Sequence, residues 1–405
     1  MSLLAQKHSA VNLAQGFPDF DGPEFVKRAA AQAIAPESSG SNQYARMFGM
    51  PVLNRAIAAA WAQRTGHVID PDTHVTVTSG CTEAICAAML GLVNPGDEVI
   101  LFEPYYDSYR ASVAMAGGVP RFVTLHAPPA DAPAGAPFRF DPDQLRAAFT
   151  PRTRLILVNT PHNPTGKVFT REELSLIADL CTRHNVIALT DEVYEHLTFD
   201  PVLPHISLAA LPGMAERTVT LSSLGKSFSL TGWKIGWAIA PPALTRAVRA
   251  AHQFITFSTA TPLQIGAAAA IAPTPESRGY IRSLVSDFTA GRELLGAALQ
   301  RLGFRVFLPA GAYFIMADWT AVRIAGDSAP IGRRFADDAE FCRALTAEAG
   351  VAAIPPSVFY ENKQHGRPLA RFAFCKRRET LEEAVARLQA WAGGAKRTAA
   401  PVQGV

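Results

Sequence analysis

The chain has 405 residues, 48% of them hydrophobic, which is enough to bury a large core in two or three domains. Its 38 basic and 35 acidic residues give a net charge of +3 and form no long runs, which argues against a nucleic-acid partner or a membrane surface. The 5 cysteines form no CxxC pair, so we expect free thiols in a cytoplasmic protein and no metal site. No segment is apolar enough for a signal peptide or a membrane span.

The predicted elements alternate between strands and helices through most of the chain. A short strand at Val11 to Gly16, a helix from Pro23 and a helix at Pro51 to Thr65 come first. Strands that are apolar through their length are typical of a mostly parallel sheet covered on both faces. Seven such strands are predicted, at His74–Gly80, Glu98–Glu103, Pro120–Leu125, Thr153–Asn159, Val186–Thr190, Thr218–Ser222 and Ile235–Ala240.

Between the fourth and fifth of these strands, a capping box at Thr170 to Glu173 opens a helix. After the seventh strand, a long helical pattern from Glu276 to Leu302 leads out of the sheet to a second alternating unit. Further elements are predicted at Phe304–Leu308, Ala312–Ala317, Asp337–Ala349, Val351–Ile354, Ala370–Phe374 and Thr380–Trp391. We therefore expect an α/β fold with a large domain at 41–280 and a smaller α+β domain at 281–395. Residues 1–40 would form an N-terminal arm and part of the small domain, and residues 396–405 a disordered tail.

The stretch from Thr218 to Trp237 offers two amines, Lys226 and Lys234, just after a predicted buried strand. A lysine is costly to hold there unless something negative or covalent meets it. A desolvated lysine also has a lowered pKa and becomes a nucleophile that can form a Schiff base. Alone, the pattern fits a solvated lysine in a loop better.

Two further motifs stand where strands end. Ser79 to Thr82 lies at a strand-to-helix junction, where free N–H groups and a hydroxyl favour an anion or phosphate, although an ordinary helix N-cap has the same pattern. Asn163 lies between prolines in the segment from Asn159 to Lys167, which places it at the carboxyl edge of the sheet. A tight turn without chemistry is the alternative.

Two charged residues stand in apolar surroundings. Asp191 opens the sequence Asp-Glu-Val-Tyr194 at the end of a predicted strand, so its carboxylate needs a cationic partner to stay ionised. Arg371 lies inside the apolar run from Leu369 to Phe374 and needs an anion that it can bind with two parallel hydrogen bonds. A structural ion pair would explain either residue as well.

Together these motifs resemble the pyridoxal-phosphate-dependent aminotransferases of class I/II, which have fold type I. Within that class the chain is most similar to the branch of kynurenine/glutamine and methionine aminotransferases. The resemblance covers nearly the whole chain. It is carried by the segments Asn12–Phe20, Asn42–Ala45, Ser79–Ala84, Asn163–Gly166, Asp191–Glu195, Ser223–Lys226 and Arg371–Phe374.

The resemblance implies pyridoxal 5'-phosphate as cofactor and a role for each matching residue. Lys226 would carry the internal aldimine and move the proton of the substrate α carbon, while Asp191 would keep the pyridine nitrogen protonated. Asn163 and Tyr194 would hydrogen-bond the 3-oxygen of the ring. Gly80, Cys81, Thr82, Ser223 and Lys234 would hold the phosphate, and Tyr106 would stack on the ring. Many relatives have arginine in place of Lys234, although this branch commonly has lysine.

The same resemblance implies the substrate site. Arg371 would bind the α-carboxylate with help from Gly16 and Asn163. Phe17, Phe257 and Phe359 are candidates for an apolar side-chain pocket, and no second arginine is placed for a distal carboxylate. We therefore expect neutral donors of the methionine, glutamine, kynurenine or aromatic type, with a 2-oxo acid as acceptor. In this family a tyrosine at the position of Tyr44 reaches the neighbouring subunit's phosphate, which implies a homodimer with shared active sites.

Three other functions fit parts of this pattern. A cysteine-conjugate or cystathionine-type β-lyase would use the same aldimine to expel a β-leaving group. A non-catalytic, cofactor-binding regulator would need a DNA-binding module, for which the sequence before Val11 leaves no room. A degenerate structural homologue is disfavoured because every chemical position is filled.

Overall fold

The computed structural model describes residues 1–35, 40–133, 135–325 and 330–394, so the predicted tail at 396–405 lies outside the described residues. The strands in this part of the chain are β1 (Val11–Asn12), β2 (Val75–Ser79), β3 (Glu98–Glu103), β4 (Val119–Thr124), β5 (Thr153–Asn159), β6 (Ile187–Asp191), β7 (Thr218–Ser223), β8 (Ile235–Ile239), β9 (Arg305–Phe307), β10 (Phe314–Asp318), β11 (Val351–Ala352) and β12 (Leu369–Ala373).

The large sheet has seven strands in the order β2-β8-β7-β6-β5-β3-β4. Only β8 runs antiparallel to its neighbours β2 and β7. Every residue of β3, β6 and β7 is buried, as expected for strands covered by helices on both faces. The predicted seven-stranded, mostly parallel sheet is therefore confirmed.

Fourteen α-helices are assigned among the described residues. They are α1 (Ser2–Lys7), α2 (Glu24–Ile34), α3 (Pro51–Thr65), α4 (Pro71–His74), α5 (Gly80–Leu92), α6 (Asp107–Met115), α7 (Pro142–Ala148), α8 (Arg171–His184), α9 (Leu224–Ser227), α10 (Pro242–Ile255), α11 (Thr261–Ile271), α12 (Pro275–Arg301), α13 (Asp338–Ala344) and α14 (Arg378–Ala392). The capping box that opens α8 is present, with Thr170 and Glu173 each bonded to the backbone of the other.

Several predicted bounds were wrong. The strand expected to reach Gly16 ends at Asn12, because the backbone N–H groups of Ala14 and Gln15 turn to the side chain of Asn12. The helix expected to run from Asp337 to Ala349 changes at Leu345 into a π-helical turn.

A second, smaller group of strands belongs to the C-terminal part of the chain. Strands β12, β10 and β9 form an antiparallel sheet in that order, and β1 pairs in parallel with β11. Phe288 of α12 packs with Phe374 and Tyr313 in the core under this sheet. The N-terminal segment therefore packs against the C-terminal part, while the expected boundaries at 40 and 280 stay predictions.

This topology assembles one edge of the large sheet. The parallel strands β5, β6 and β7 end together, at Asn159, Asp191 and Ser223. Carboxyl ends of parallel strands are where open α/β sheets bind ligands. No helix within the described residues is both long and apolar enough to span a bilayer.

Candidate active site

A cavity of about 530 Å³ lies at the carboxyl edge of the large sheet, within the size range of small-molecule sites. Strand ends, the start of α5, the segment after β1 and strand β12 all contribute to its wall. The residues predicted from the sequence that line it are Gly16, Phe17, Gly80, Cys81, Thr82, Tyr106, Asn163, Asp191, Tyr194, Ser223, Lys226, Lys234, Phe359 and Arg371. The fold thus brings fourteen of the sixteen predicted residues together, leaving out Tyr44 and Phe257.

Lys226 lies in the single turn of α9, directly after β7. Its Nζ donates to the carbonyl oxygen of Gly16 at 3.3 Å and lies 5.9 Å from the ring centre of Tyr313. Burial lowers the pKa of Lys226, and the nearby Asp191 offsets only part of this effect. A larger fraction of the amine is therefore neutral, and hence nucleophilic, than in a solvated lysine.

Asp191 ends β6 and is 4% exposed. It accepts hydrogen bonds from the Tyr109 hydroxyl at 2.7 Å and from the Val193 backbone N–H at 3.3 Å. Burial raises the pKa of this carboxyl group, while the bond from Tyr109 acts in the opposite direction. Tyr109 is a site residue that the sequence analysis missed, because its approach to Asp191 joins residues 82 positions apart.

A turn with the geometry of an anion site lies at the start of α5. Gly80 has φ of +75°, and a Cβ there would lie 3.0 Å from the Lys234 Nζ. Gly236 of β8 packs so closely under this turn that a Cβ would lie 2.6 Å from the Cys81 backbone nitrogen. Free N–H groups of a helix N-terminus beside an ammonium group can hold a phosphate.

Arg371 projects from β12 and is 7% exposed. Its Nη1 donates to Asn163 Oδ1 at 3.0 Å and its Nη2 to the Ala14 carbonyl at 3.0 Å, while Nε has no partner. No ion pair of the described residues includes Arg371, and burial lowers its pKa to about 10. A buried guanidinium group that lacks a carboxylate is suited to bind one from a ligand.

Neighbouring residues fix the positions of Asn163 and Tyr194. Asn159 accepts from the Asn163 backbone N–H at 2.7 Å and donates to the Asp191 carbonyl at 2.9 Å. The Tyr194 ring packs edge-on against Tyr313 with centres 5.1 Å apart, and burial raises the pKa of Tyr194. Asn159 is predicted only as a strand end, and Tyr313 was not predicted as a site residue at all.

Tyr44 and Phe257 lie together but away from this cavity. Tyr44 is 86% exposed, and its ring packs edge-on against Phe257 with centres 5.5 Å apart. Phe257 has φ of +65° and is 44% exposed. Neither side chain reaches the active-site cavity of its own chain.

The family model for class I and II aminotransferases matches residues 8–388. The chain belongs to this family. It is 46% identical to N-succinyldiaminopimelate aminotransferase from Mycobacterium tuberculosis, whose structure has a TM-score of 0.88 and is covered over 96% of both chains. It is 40% identical to a kynurenine–oxoglutarate transaminase from Dictyostelium discoideum, over 95% of this chain and 91% of the relative. It is 39% identical to a methionine aminotransferase from Escherichia coli, over 96% and 94%.

Aminotransferases of this class depend on pyridoxal phosphate, and so does this enzyme. The residues present fit that cofactor: the turn at Gly80 with Lys234 suits its phosphate, and the buried Asp191 suits a protonated ring nitrogen. When bound, pyridoxal phosphate supplies an electron sink for the α carbon of the amino acid. The enzyme transfers amino groups from amino acids to 2-oxo acids.

Proposed function

We propose that this aminotransferase acts on neutral amino acids and that Lys226 is its covalent cofactor-binding residue and proton carrier. The single observation that supports this best is the set of charges around the cavity. Among the described residues of its lining, the cationic side chains are Lys226, Lys234 and Arg371. Lys226 would bind the cofactor covalently, Lys234 its phosphate and Arg371 the α-carboxylate of the substrate. No cationic side chain of this lining therefore remains to bind a second carboxylate of the substrate.

Asp191 holds the charge of the cofactor ring. A buried carboxylate that receives hydrogen bonds from Tyr109 and Val193 can stay ionised opposite a protonated ring nitrogen. The groups that would hold the phosphate line the same cavity: Gly80, Cys81, Thr82, Ser223 and Lys234. Tyr106, Asn163 and Tyr194 line the same cavity, where Tyr106 would stack on the cofactor ring and Asn163 with Tyr194 would hydrogen-bond its 3-oxygen.

Arg371 orients the substrate. With Nη1 and Nη2 held by Asn163 and Ala14, the guanidinium plane is fixed before a carboxylate arrives. Lys226 lines the same cavity as Arg371, and its lowered pKa increases the fraction of neutral amine that can take the α-proton of a bound substrate. Gly16 contributes its carbonyl oxygen to Lys226.

The substrate side chain faces apolar groups. Phe17, Phe314, Ile354, Val358 and Phe359 line the same cavity as Arg371. These groups favour methionine, kynurenine or aromatic donors over aspartate, because burying an unpaired carboxylate against them is costly. The relative from M. tuberculosis is named for an acidic donor, N-succinyldiaminopimelate, so that compound is the strongest competing substrate.

A panel of amino donors in single half-reactions tests this specificity. We expect methionine, glutamine, kynurenine and phenylalanine to convert the cofactor with kcat/KM at least tenfold above aspartate and N-succinyldiaminopimelate. A higher kcat/KM for either acidic donor would contradict the proposed neutral specificity, while conversion by no donor at all would contradict the assignment of the cavity.

We further propose a homodimer in which Tyr44 completes the partner's site, since Tyr44 is exposed and does not line the cavity of its own chain. Tyr44→Ala and Lys226→Ala chains, unfolded and refolded together, would regain one intact site in each mixed dimer. About half the dimers are mixed, so activity should recover to about a quarter of the native level. Mixed dimers confirmed by mass but without recovered activity would contradict the shared site. We also propose a cytoplasmic location, which the free thiols of the 5 cysteines support.

A further inference from the structure

A second cavity of about 510 Å³ lies beside the end of β7, the strand that precedes Lys226. Helices α3 and α12, strand β8 and the segment after β6 form its walls. Ser223 at the end of β7 lines both cavities, and Ser227 of α9 lines the second, so the two cavities meet at the junction of β7 and α9. None of the roles derived above for the aminotransferase reaction uses it.

The interior of the second cavity combines an apolar wall with unpaired polar atoms. Ile57, Phe228, Trp237, Ile239 and Ile281 provide the apolar part. The buried side chains of Trp61, His205 and Ser227 also line it, and Trp61 Nε1, His205 Nδ1 and Ser227 Oγ have no hydrogen-bond partner in the described protein. Unpaired buried polar atoms cost free energy, so a ligand that supplied partners for these side chains would bind favourably.

The mouth of the second cavity is positively charged. Arg278 and Arg282 lie four residues apart on α12, both exposed, and neither forms an ion pair with a described carboxylate. Arg278 donates instead to the Pro273 carbonyl at 2.5 Å. Deeper in the cavity, Arg64 pairs with Glu195 and with Glu192 behind it. Among the described lining residues three arginines therefore face one carboxylate, that of Glu195.

We propose that this cavity is a second ligand site, which binds an organic carboxylate with an aromatic body. The ring would pack between Trp61 and Trp237, and the carboxylate would lie at Arg278 and Arg282. An anion fits better than a neutral molecule because both arginines at the mouth lack a carboxylate partner. The site differs from the substrate site in its arginines, since Arg371 does not line it.

Equilibrium dialysis with radiolabelled 3-phenylpropanoate tests this proposal. The holoenzyme carries Arg371→Gln, so that the substrate site cannot bind the probe through its arginine. We expect one saturable molecule per chain, and an affinity at least tenfold lower for the uncharged 3-phenylpropanamide. Adding Arg278→Gln and Arg282→Gln together should weaken binding of the carboxylate about tenfold, and salt should weaken it further.

Two more variants test whether binding depends on the residues that line the cavity. Arg301→Gln removes another exposed arginine of α12 that does not line the cavity, and we expect it to leave binding unchanged. Trp61→Phe keeps a ring but removes the unpaired N–H, and should weaken binding several-fold. Transaminase activity of the Arg278→Gln/Arg282→Gln chain with native Arg371 reports correct folding. Absence of saturable binding, equal binding of the amide, or indifference to loss of both arginines would overturn the proposal.

Discussion

Replacing Arg371 by lysine isolates the geometric part of its role. The substitution keeps the positive charge but removes the planar group, and with it the hydrogen bonds to Asn163 Oδ1 and the Ala14 carbonyl, each 3.0 Å long. It also removes the packing of the guanidinium carbon 4.3 Å from the ring centre of Phe314. A lysine ammonium group binds a carboxylate as a point charge rather than as a fork.

The size of the effect follows from the surroundings of Arg371. The ion pair between Arg371 and a substrate carboxylate is buried, and both Nη atoms are held by hydrogen bonds. Its loss should therefore cost as much free energy as the loss of other buried charge pairs, about 2–5 kcal/mol. That range corresponds to a decrease of about 30- to 5000-fold in kcat/KM for the amino donor. The phosphate turn at Gly80 is untouched, so cofactor content should stay at the native level.

Stopped-flow half-reactions with methionine and absorbance of the bound cofactor measure the two quantities separately. Arg305→Lys is the matched control, because Arg305 lies on β9 of the same sheet with its guanidinium carbon 5.1 Å from the ring centre of Phe307, outside the cavity. Arg305→Lys should leave kcat/KM unchanged. Native kcat/KM in a folded Arg371→Lys enzyme would remove Arg371 from the substrate site.

Three further predictions concern the cofactor site and the fold. Tyr109→Phe removes the donor that lowers the pKa of Asp191, so this pKa should rise and the acid limb of the pH–rate profile should move to higher pH. The loss of this charged hydrogen bond should also weaken cofactor binding by about 1.5–3 kcal/mol, measured by titrating apoenzyme with cofactor. Gly236→Ala places a methyl group against the backbone of Gly80 and should lower cofactor affinity at least tenfold in the same titration. The hydrogen bond from Thr150 and the ion pairs with Arg121 and Arg152 lower the pKa of Glu98 to about 2. Glu98 therefore contributes stability above its ordinary pKa, and this stability is lost as pH falls toward 2. Glu98→Gln should lower the free energy of unfolding in urea at pH 7 by about 1–3 kcal/mol and flatten this acid dependence.

Each of these substitutions has a control of the same chemistry. Tyr105→Phe changes a buried tyrosine outside the cavity, and an equal acid shift there would contradict the role of Tyr109. A Cβ at Gly232 meets no atom within 4 Å, so Gly232→Ala should keep native affinity. Glu382→Gln, which removes an exposed ion pair on α14, is the control for Glu98→Gln. If Glu98→Gln leaves the acid dependence of stability unchanged, Glu98 is not the group that titrates.

The strand ends were predictable because the apolar runs that mark buried strands are local properties of the sequence. Apolar runs located β5, β6 and β7, and the ends of parallel strands must meet at one edge. That rule places Asn163, Asp191 and Lys226 at one edge of the sheet, and the family resemblance joined them into one predicted site. The capping box of α8 was equally visible, because its two residues are only three positions apart.

Residues that reach the cavity from other packing layers were not predictable in this way. Tyr109 bonds Asp191 from the third residue of α6, and Tyr313 reaches the Gly16 carbonyl at 2.7 Å from just before β10. Both contacts depend on long-range packing that periodicity does not encode. The resemblance placed Phe257 in the substrate pocket, whereas in this chain it packs against Tyr44.

The most direct test of the proposed chemistry is the attachment point of the cofactor. Borohydride reduction of the purified holoenzyme, followed by proteolysis and mass spectrometry, identifies the lysine that carries it. The lowered pKa of Lys226 and its position in the cavity lead us to expect the label on the peptide that contains Lys226. A label on Lys234, which lines the same cavity, or on Lys167, which pairs with Glu173 outside it, would contradict the account.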